Sequence, residues 1–183
     1  MKNDELVIMG IYPHESQDLV SVVVISNDGK IHVRSVIQYE GLDAINFLND
    51  LKTKSFWKHV DVFVLSEHEK SIEIMKGLKP ENKTVLHLDL TPRPLDYNTS
   101  KQGDNFGLLL NYIKNKKTKG LIKFPYSSDD EVNRLKEQFE KFGIGFNFDL
   151  DYMMKYKDKS GDSIWAFLLA CHGMMSFEYD RDI

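Results

Sequence analysis

The Asn27-Asp28-Gly29 turn constrains this chain more than any other feature, because it joins two β-branched runs, "LVSVVVI" before it and "IHVRSVIQY" after it. Asp-Gly between alternating apolar runs is the strongest short-range hairpin signal, since the tight turn needs residues that tolerate positive φ. A further run, "ELVIMGI", precedes the pair across a short polar stretch. Three antiparallel strands are therefore expected to open the domain. In the third, Ile31, Val33 and Val36 fall on different phases of the alternation, as on a twisted edge strand.

Beyond the third strand the apolar period changes from that of a strand to that of a helix. "GLDAINFLNDLK" sets Leu42, Ile45, Leu48 and Leu51 three apart, one apolar stripe. "HVDVFVLSE" reads as a buried strand, "HEKSIEIMKGLK" as a helix closing near Gly77, and "KTVLHLDL" as a strand stopped by the prolines of "TPRP". Strand and helix in this alternation imply parallel neighbours joined by crossovers. Residues 91–105 carry no pattern and read as a mobile loop, after which "FGLLLNYIKN" returns to helix and "GLIKFP" to a short strand. Ser128 and Glu131 have capping-box spacing ahead of a helix that turns Val132, Leu135, Phe139 and Phe142 inward. "GIGFNFDLDYMMKYK" alternates as a final strand or hairpin, and Ser160 opens a last helix to about His172. The expected fold class is α/β: a mixed sheet, antiparallel over its first three strands and parallel elsewhere, flanked by helices. With no repeat or linker, residues 1–183 read as a single domain.

Charge and composition narrow the function. A mixture of 24 basic and 28 acidic residues gives a net charge of −4 and no global field to attract nucleic acid. The exception is local: "IKNKKTKGLIK" concentrates lysines, of which Lys116, Lys117 and Lys119 are the candidate nucleic-acid contacts. The plain alternative is a solvated helix end whose lysines complement the dipole. No segment approaches the ~20 apolar residues of a membrane helix, and "MKNDEL" lacks a signal pattern, so no membrane partner and a cytoplasmic location are expected. Cys171 sits in the apolar run "IWAFLLACHG" and reads as a buried thiol. His14, His59, His68, His87 and His172 form no zinc-like pair, and neither a Walker phosphate loop nor a Gly-x-Ser-x-Gly elbow occurs. Carboxyl-half aromatics such as Tyr152 and Tyr156, interleaved with lysines, could stack bases but read better as core and rim.

Three carboxylates lie where metal chemistry would want them. Two-metal nucleases hold ions ~3.5–4 Å apart, which requires acids to converge from neighbouring strand ends and helix starts. Glu67 closes the fourth strand, with Glu69 as the slipped alternative; Asp162 begins the last helix, and Ala166 on its face lets that helix lie close to the sheet; Asp18 begins the second strand. Each also has a bland reading, as a strand-end, first-turn or turn-forming acid.

Taken in order, these residues resemble the ribonuclease H-like superfamily, most of all the nuclease domain of the large terminase subunit of tailed viruses. The resemblance rests on Gly10-Ile11-Tyr12-Pro13, on Asp18, on "VSVVVI" and "NDGKIHV", on Glu67, on "LIKFPYSSDDEVNRLKEQFEKF", and on Ser160-Gly161-Asp162 followed by "SIWAFLLACHG". It spans residues 6–173. It implies a metal-dependent DNA endonuclease using Mg²⁺ or Mn²⁺, with Asp18, Glu67 and Asp162 as metal ligands and catalytic residues. The implied partners are double-stranded DNA and a packaging motor or other viral protein, in host cytoplasm. Holliday-junction resolvases share the plan.

The departure is Tyr12, which stands where the resemblance implies the first-strand aspartate. A phenol with pKa near ~10 is neutral at pH 7 and cannot replace a carboxylate on Mg²⁺. Glu15 or Asp18 could swing in to restore a ligand. The alternative function is a non-catalytic ribonuclease H-like module that binds DNA or a partner protein, Tyr12 packing where a metal would sit.

Overall fold

The computed structural model describes residues 5–14, 18–41, 43–67, 69–79, 83–89, 105–142 and 163–181. The Asp-Gly hairpin forms as its sequence requires: Gly29 takes φ 100° between β2 (Leu19–Asn27) and β3 (Ile31–Glu40). β1 (Leu6–Pro13) pairs antiparallel with β2, Tyr12 opposite Ser21, while β4 (Val62–Ser66) adds parallel to β1 on its other side. β5 (Thr84–Leu88) and β6 (Ile122–Lys123) complete a six-stranded sheet in the order β5-β4-β1-β2-β3-β6.

The phase conflict within β3 is resolved by a bulge. Val24 pairs with Ser35 but Ile25 pairs with Val33, so Arg34 is an extra residue in β3. A bulge moves later side chains across the pleat by one step. Ile31, Val33 and Val36 consequently all enter one core, and Arg34 turns to Glu5 and Ser26.

Two layers of helix cover the sheet. α1 (Ala44–Thr53) and α2 (Glu69–Leu78) supply Phe47, Leu48, Leu51, Ile74 and Leu78 to the core over one face. The Asp43 side chain accepts from the Asn46 backbone at 2.8 Å and starts α1 there. That start places Phe47, Leu48 and Leu51 inward and leaves Ile45 72% exposed, contrary to the stripe expected from the spacing of three. At ~100° per residue Ile45 lies nearly opposite Phe47 on the helix.

The other face is covered by α3 (Asn105–Thr118), α4 (Asp130–Phe142) and α5 (Ile164–Arg181). α4 is capped by Asp129, whose carboxylate accepts from the Glu131 amide at 2.9 Å, so the cap is one residue later than the Ser128 box. α5 runs through Gly173 instead of ending at His172, and a Cβ at Gly173 would lie 2.8 Å from Val64 and 3.0 Å from Ile8. Close seating offsets the ~1 kcal/mol that glycine costs a helix interior. At Gly10 the approach is tighter still: a Cβ would lie 1.9 Å from the Ala166 carbonyl oxygen. Ile164 through Cys171 are all buried, placing the amino-terminal half of α5 on the central strands. The expected strand at 143–157, the loop at 91–104 and the side chain of Phe142 lie outside the described residues.

Candidate functional site

The carboxyl edge of β1 and β4 is where open α/β sheets place their sites, and here it lies beneath the start of α5. Strand alternation decides which side chains face that helix. Ile8 and Tyr12 of β1 belong to the α5-side core, as do Val62 and Val64 of β4, whereas Ile11 and Leu65 belong to the opposite one. Ile11 pairs with Leu65, so the next step brings Tyr12 beside Ser66, the α5-facing residue of β4. The cross-strand row continues from Tyr12 to Ser21 and from Ser21 to Gln38, and on the other side from Ser66 to Leu88.

This row is closed and neutral. Tyr12 is 2% exposed, its ring edge-on to His14 with centroids 4.8 Å apart and stacked on Trp165 of α5 at 6.0 Å. His14 and Ser21 are fully buried and share a hydrogen bond of 2.9 Å between Nε2 and Oγ. The Gln38 carboxamide donates to Ser163 Oγ at 3.2 Å and, at the 3.5 Å limit, to Ser21 Oγ. These bonds tie three strands to the turn that opens α5. Each contributes ~1 kcal/mol net but would cost ~1–3 kcal/mol if one partner were left buried and unpaired.

Of the acids picked from the sequence, those among the described residues, Asp18, Glu67 and Glu69, stand outside this row. Asp18 is 71% exposed, with Lys70 Nζ at 3.5 Å from its carboxylate. An exposed pair of that kind adds ~0–1 kcal/mol. Glu67 lies one residue beyond β4 and is exposed; its backbone amide donates to the Leu88 carbonyl at 3.2 Å, which extends the β4–β5 ladder. By alternation it follows Ser66 onto the opposite side from Tyr12. Glu69 is exposed at the start of α2. Glu15 and Asp162 lie outside the described residues.

Among the described residues no group of three or more His, Cys, Asp or Glu could hold a metal ion. The fit of Mg²⁺ or Mn²⁺ at the row itself is poor, since these hard cations take carboxylate oxygens and the row offers Leu88, Ser66, Tyr12, Ser21 and Gln38. Ser21, Gln38, Ser163 and Trp165 were not singled out by sequence reasoning, while His14 was weighed only as a zinc ligand and Ser66 only as the serine of a hydrolase elbow. Hairpin register alone would have found two of them, placing Ser21 opposite Tyr12 and Gln38 opposite Ser21.

The lysine cluster is partly occupied within the molecule. Lys116 Nζ is 2.8 Å from Glu178, which also accepts from Asn27 at 3.0 Å. Lys117 donates to the Phe139 carbonyl at 3.3 Å and lies 4.6 Å from the centre of its ring. Lys119 is exposed beside Gly120, whose φ of 64° ends α3. The Leu121 amide there donates to the Lys116 carbonyl and the Gly120 amide to that of Lys117, a Schellman closure. Lys119 borders a shallow cavity of about 330 Å³ between α3 and α5, with Asn111, Asn115 and the Lys116–Glu178 pair.

The mixed sheet, its strand order and its helical layers define a ribonuclease H-like α/β fold. The likeness is to particular solved structures. The large terminase nuclease from thermophilic phage G20c with bound zinc superposes with a TM-score of 0.55 at 16% identity, covering 92% of this chain and 81% of that one. The nuclease domain of the large terminase subunit of bacterial virus Sf6 with manganese gives 0.54 at 11% identity, covering 91% and 88%. The fowlpox virus Holliday junction resolvase gives 0.48 at 15% identity, covering 94% and 99%. No protein-family model matches the chain, and no curated protein matches it in sequence. At these identities the two terminase likenesses establish the fold alone, and function has to be argued from the site.

Proposed function

We propose that this chain is a non-hydrolysing ribonuclease H-like module that engages double-stranded DNA within viral DNA processing. The observation that carries the reading is the burial of Tyr12 between His14 and Trp165 at the carboxyl edge of β1. The phenol is neutral, and the stack fills the space a hydrated cation would require. The terminase nuclease structures support DNA as the partner through the fold they share with this chain. Lys119, exposed at the end of α3, is the lysine of the cluster most open to phosphate.

The same fold likeness favours a second reading, a working endonuclease of terminase type with Asp18, Glu67 and Asp162 holding Mg²⁺ or Mn²⁺. Such ions, when bound, would polarise a phosphodiester and activate water. One set of measurements separates the two. Thermal unfolding with millimolar Mn²⁺, plasmid cleavage, and duplex binding by fluorescence anisotropy are run on the same protein. The proposal expects no Mn²⁺ shift, no cutting, and binding that weakens as salt rises. Metal-dependent cutting would replace it with the nuclease reading; absence of both cutting and duplex binding would leave a partner protein as the target.

A further inference from the structure

We infer that the metal centre implied by the fold has been erased at two adjacent positions, Tyr12 and Ser66, and that Ser66, not Glu67, marks the β4 ligand position. This deepens the reading above and rests on it for the absence of metal in the natural protein.

The argument is one of register. Two ligands on neighbouring strands can share a cation only if their side chains leave the same face of the sheet. Adjacent strands lie ~4.8 Å apart, so carboxylates at paired positions converge on one ion without any movement of backbone. Ile11 pairs with Leu65, and both side chains enter the core beneath α1 and α2. The following pair, Tyr12 and Ser66, therefore shares the α5 face. Both are buried there, at 2% and 5% exposure, and Ser66 pairs across β5 with buried Leu88.

Ser66 carries a second sign of replacement. Its hydroxyl is buried with no hydrogen-bond partner among the described residues. Neighbouring polar groups of the row have been drawn into the His14–Ser21 and Gln38–Ser163 bonds. Glu67, one step further along, has the right charge but the wrong face, and its exposure is that of an ordinary edge residue. Restoring one aspartate at Tyr12 would therefore leave it without a carboxylate partner on β4.

The test is reconstruction. Tyr12→Asp, Ser66→Asp, the double variant, and a neutral double control, Tyr12→Asn with Ser66→Asn, are melted with Mn²⁺ and with chelator. The expected result is a rise in Tm of ~5 °C or more with Mn²⁺ at a large excess over Kd, in the Asp/Asp double only. Two buried carboxylates will destabilise the metal-free double, so binding energy should appear as folding, and a double that is unfolded in chelator is expected to fold on adding Mn²⁺. A folded double with no Mn²⁺ response overturns the inference, as does a double that Mn²⁺ cannot fold. A response by Tyr12→Asp alone overturns it too, because Glu67 would then be the partner. A response in the natural protein refutes the non-hydrolysing reading instead, so the two failures are distinct.

Discussion

Gly10→Ala offers the sharpest test of how α5 is seated. The added methyl carbon would lie 1.9 Å from the Ala166 carbonyl oxygen and 2.7 Å from the Ala170 amide nitrogen. Ordinary contact is near ~3.5 Å, so the methyl is about 1.6 Å too close to an atom held in a helix backbone. Neither side can yield by rotating a side chain. α5 must lift, and lifting it loosens Ala166, Phe167 and Ala170, all fully buried. Overpacking costs ~1–3 kcal/mol when side chains adjust, so a backbone collision should reach ~3 kcal/mol or more. At ~2–4 °C per kcal/mol for a domain of this size, Tm should fall by roughly 6–12 °C. Equilibrium urea unfolding followed by far-ultraviolet circular dichroism measures it directly. Gly173→Ala is the internal comparison, because its methyl meets the Val64 and Ile8 side chains and regains helix propensity, leaving a net change within ~1 kcal/mol. A Gly10→Ala variant within ~1 kcal/mol of the natural protein would falsify the proposed contact between β1 and α5.

Further expectations follow from individual contacts. Asp129→Ala should cost ~1 kcal/mol by removing the α4 cap, whereas Ser128→Ala should stay within ~0.5 kcal/mol in the same urea titration. Hydrogen bonds from Ser26 and then Arg34 hold the Glu5 carboxyl below its ordinary 4.5. Its folded value lies under the unfolded one, so the stability it adds is present above pH 4.5 and lost as pH falls through the folded value. Glu5→Gln should flatten that acid limb. Burial likewise holds His172 below 6.5, so stability tied to its neutral form is present above pH 6.5 and lost on acidification, and His172→Gln should lessen the loss. Cys171 is fully buried, and burial pushes its thiol well above the ordinary range. An aromatic disulfide reagent should therefore react with it at the rate of unfolding, and fast labelling under native conditions would contradict its placement.

The parts of the fold written in local pattern were legible in the sequence. The Asp-Gly hairpin, the alternating strands and helices, and the close approach of α5 at Ala166 could all be read from spacing and residue size. What escaped was set by competition between nearby alternatives or by distant partners. A phase conflict in β3 can be met by twist or by an extra residue, and only pairing with β2 selects the Arg34 bulge. Ser127, Ser128 and Asp129 are all good caps, and the last of them is used. Gly173 looks like a helix stop until Ile8 and Val64 are seen beneath it. At the site, Tyr12 was visible as a departure, but its burial depends on Trp165 and on Gln38 reaching Ser163, contacts between segments remote in the chain. Glu67 was chosen as the acid that closes the fourth strand; the pleat, counted from the Ile11–Leu65 pair, puts Ser66 on the face that Tyr12 shares.

The position of α5 in chain order has a consequence for how the protein is made. It follows all six of the described strands, yet it covers Ile8, Val23, Ile25 and Val64 on the central strands. During synthesis the sheet can pair, the side beneath α1 and α2 can close, and α3 and α4 can dock on the other side, while the part of the central strands that α5 covers still faces water. A nascent chain halted before residue 164 is thus expected to present a broad sticky surface, to recruit chaperones, and to bind a hydrophobic dye that the released protein excludes. Closure of that face waits on a segment made after the described strands, so pauses in translation ahead of α5 are where aggregation should begin.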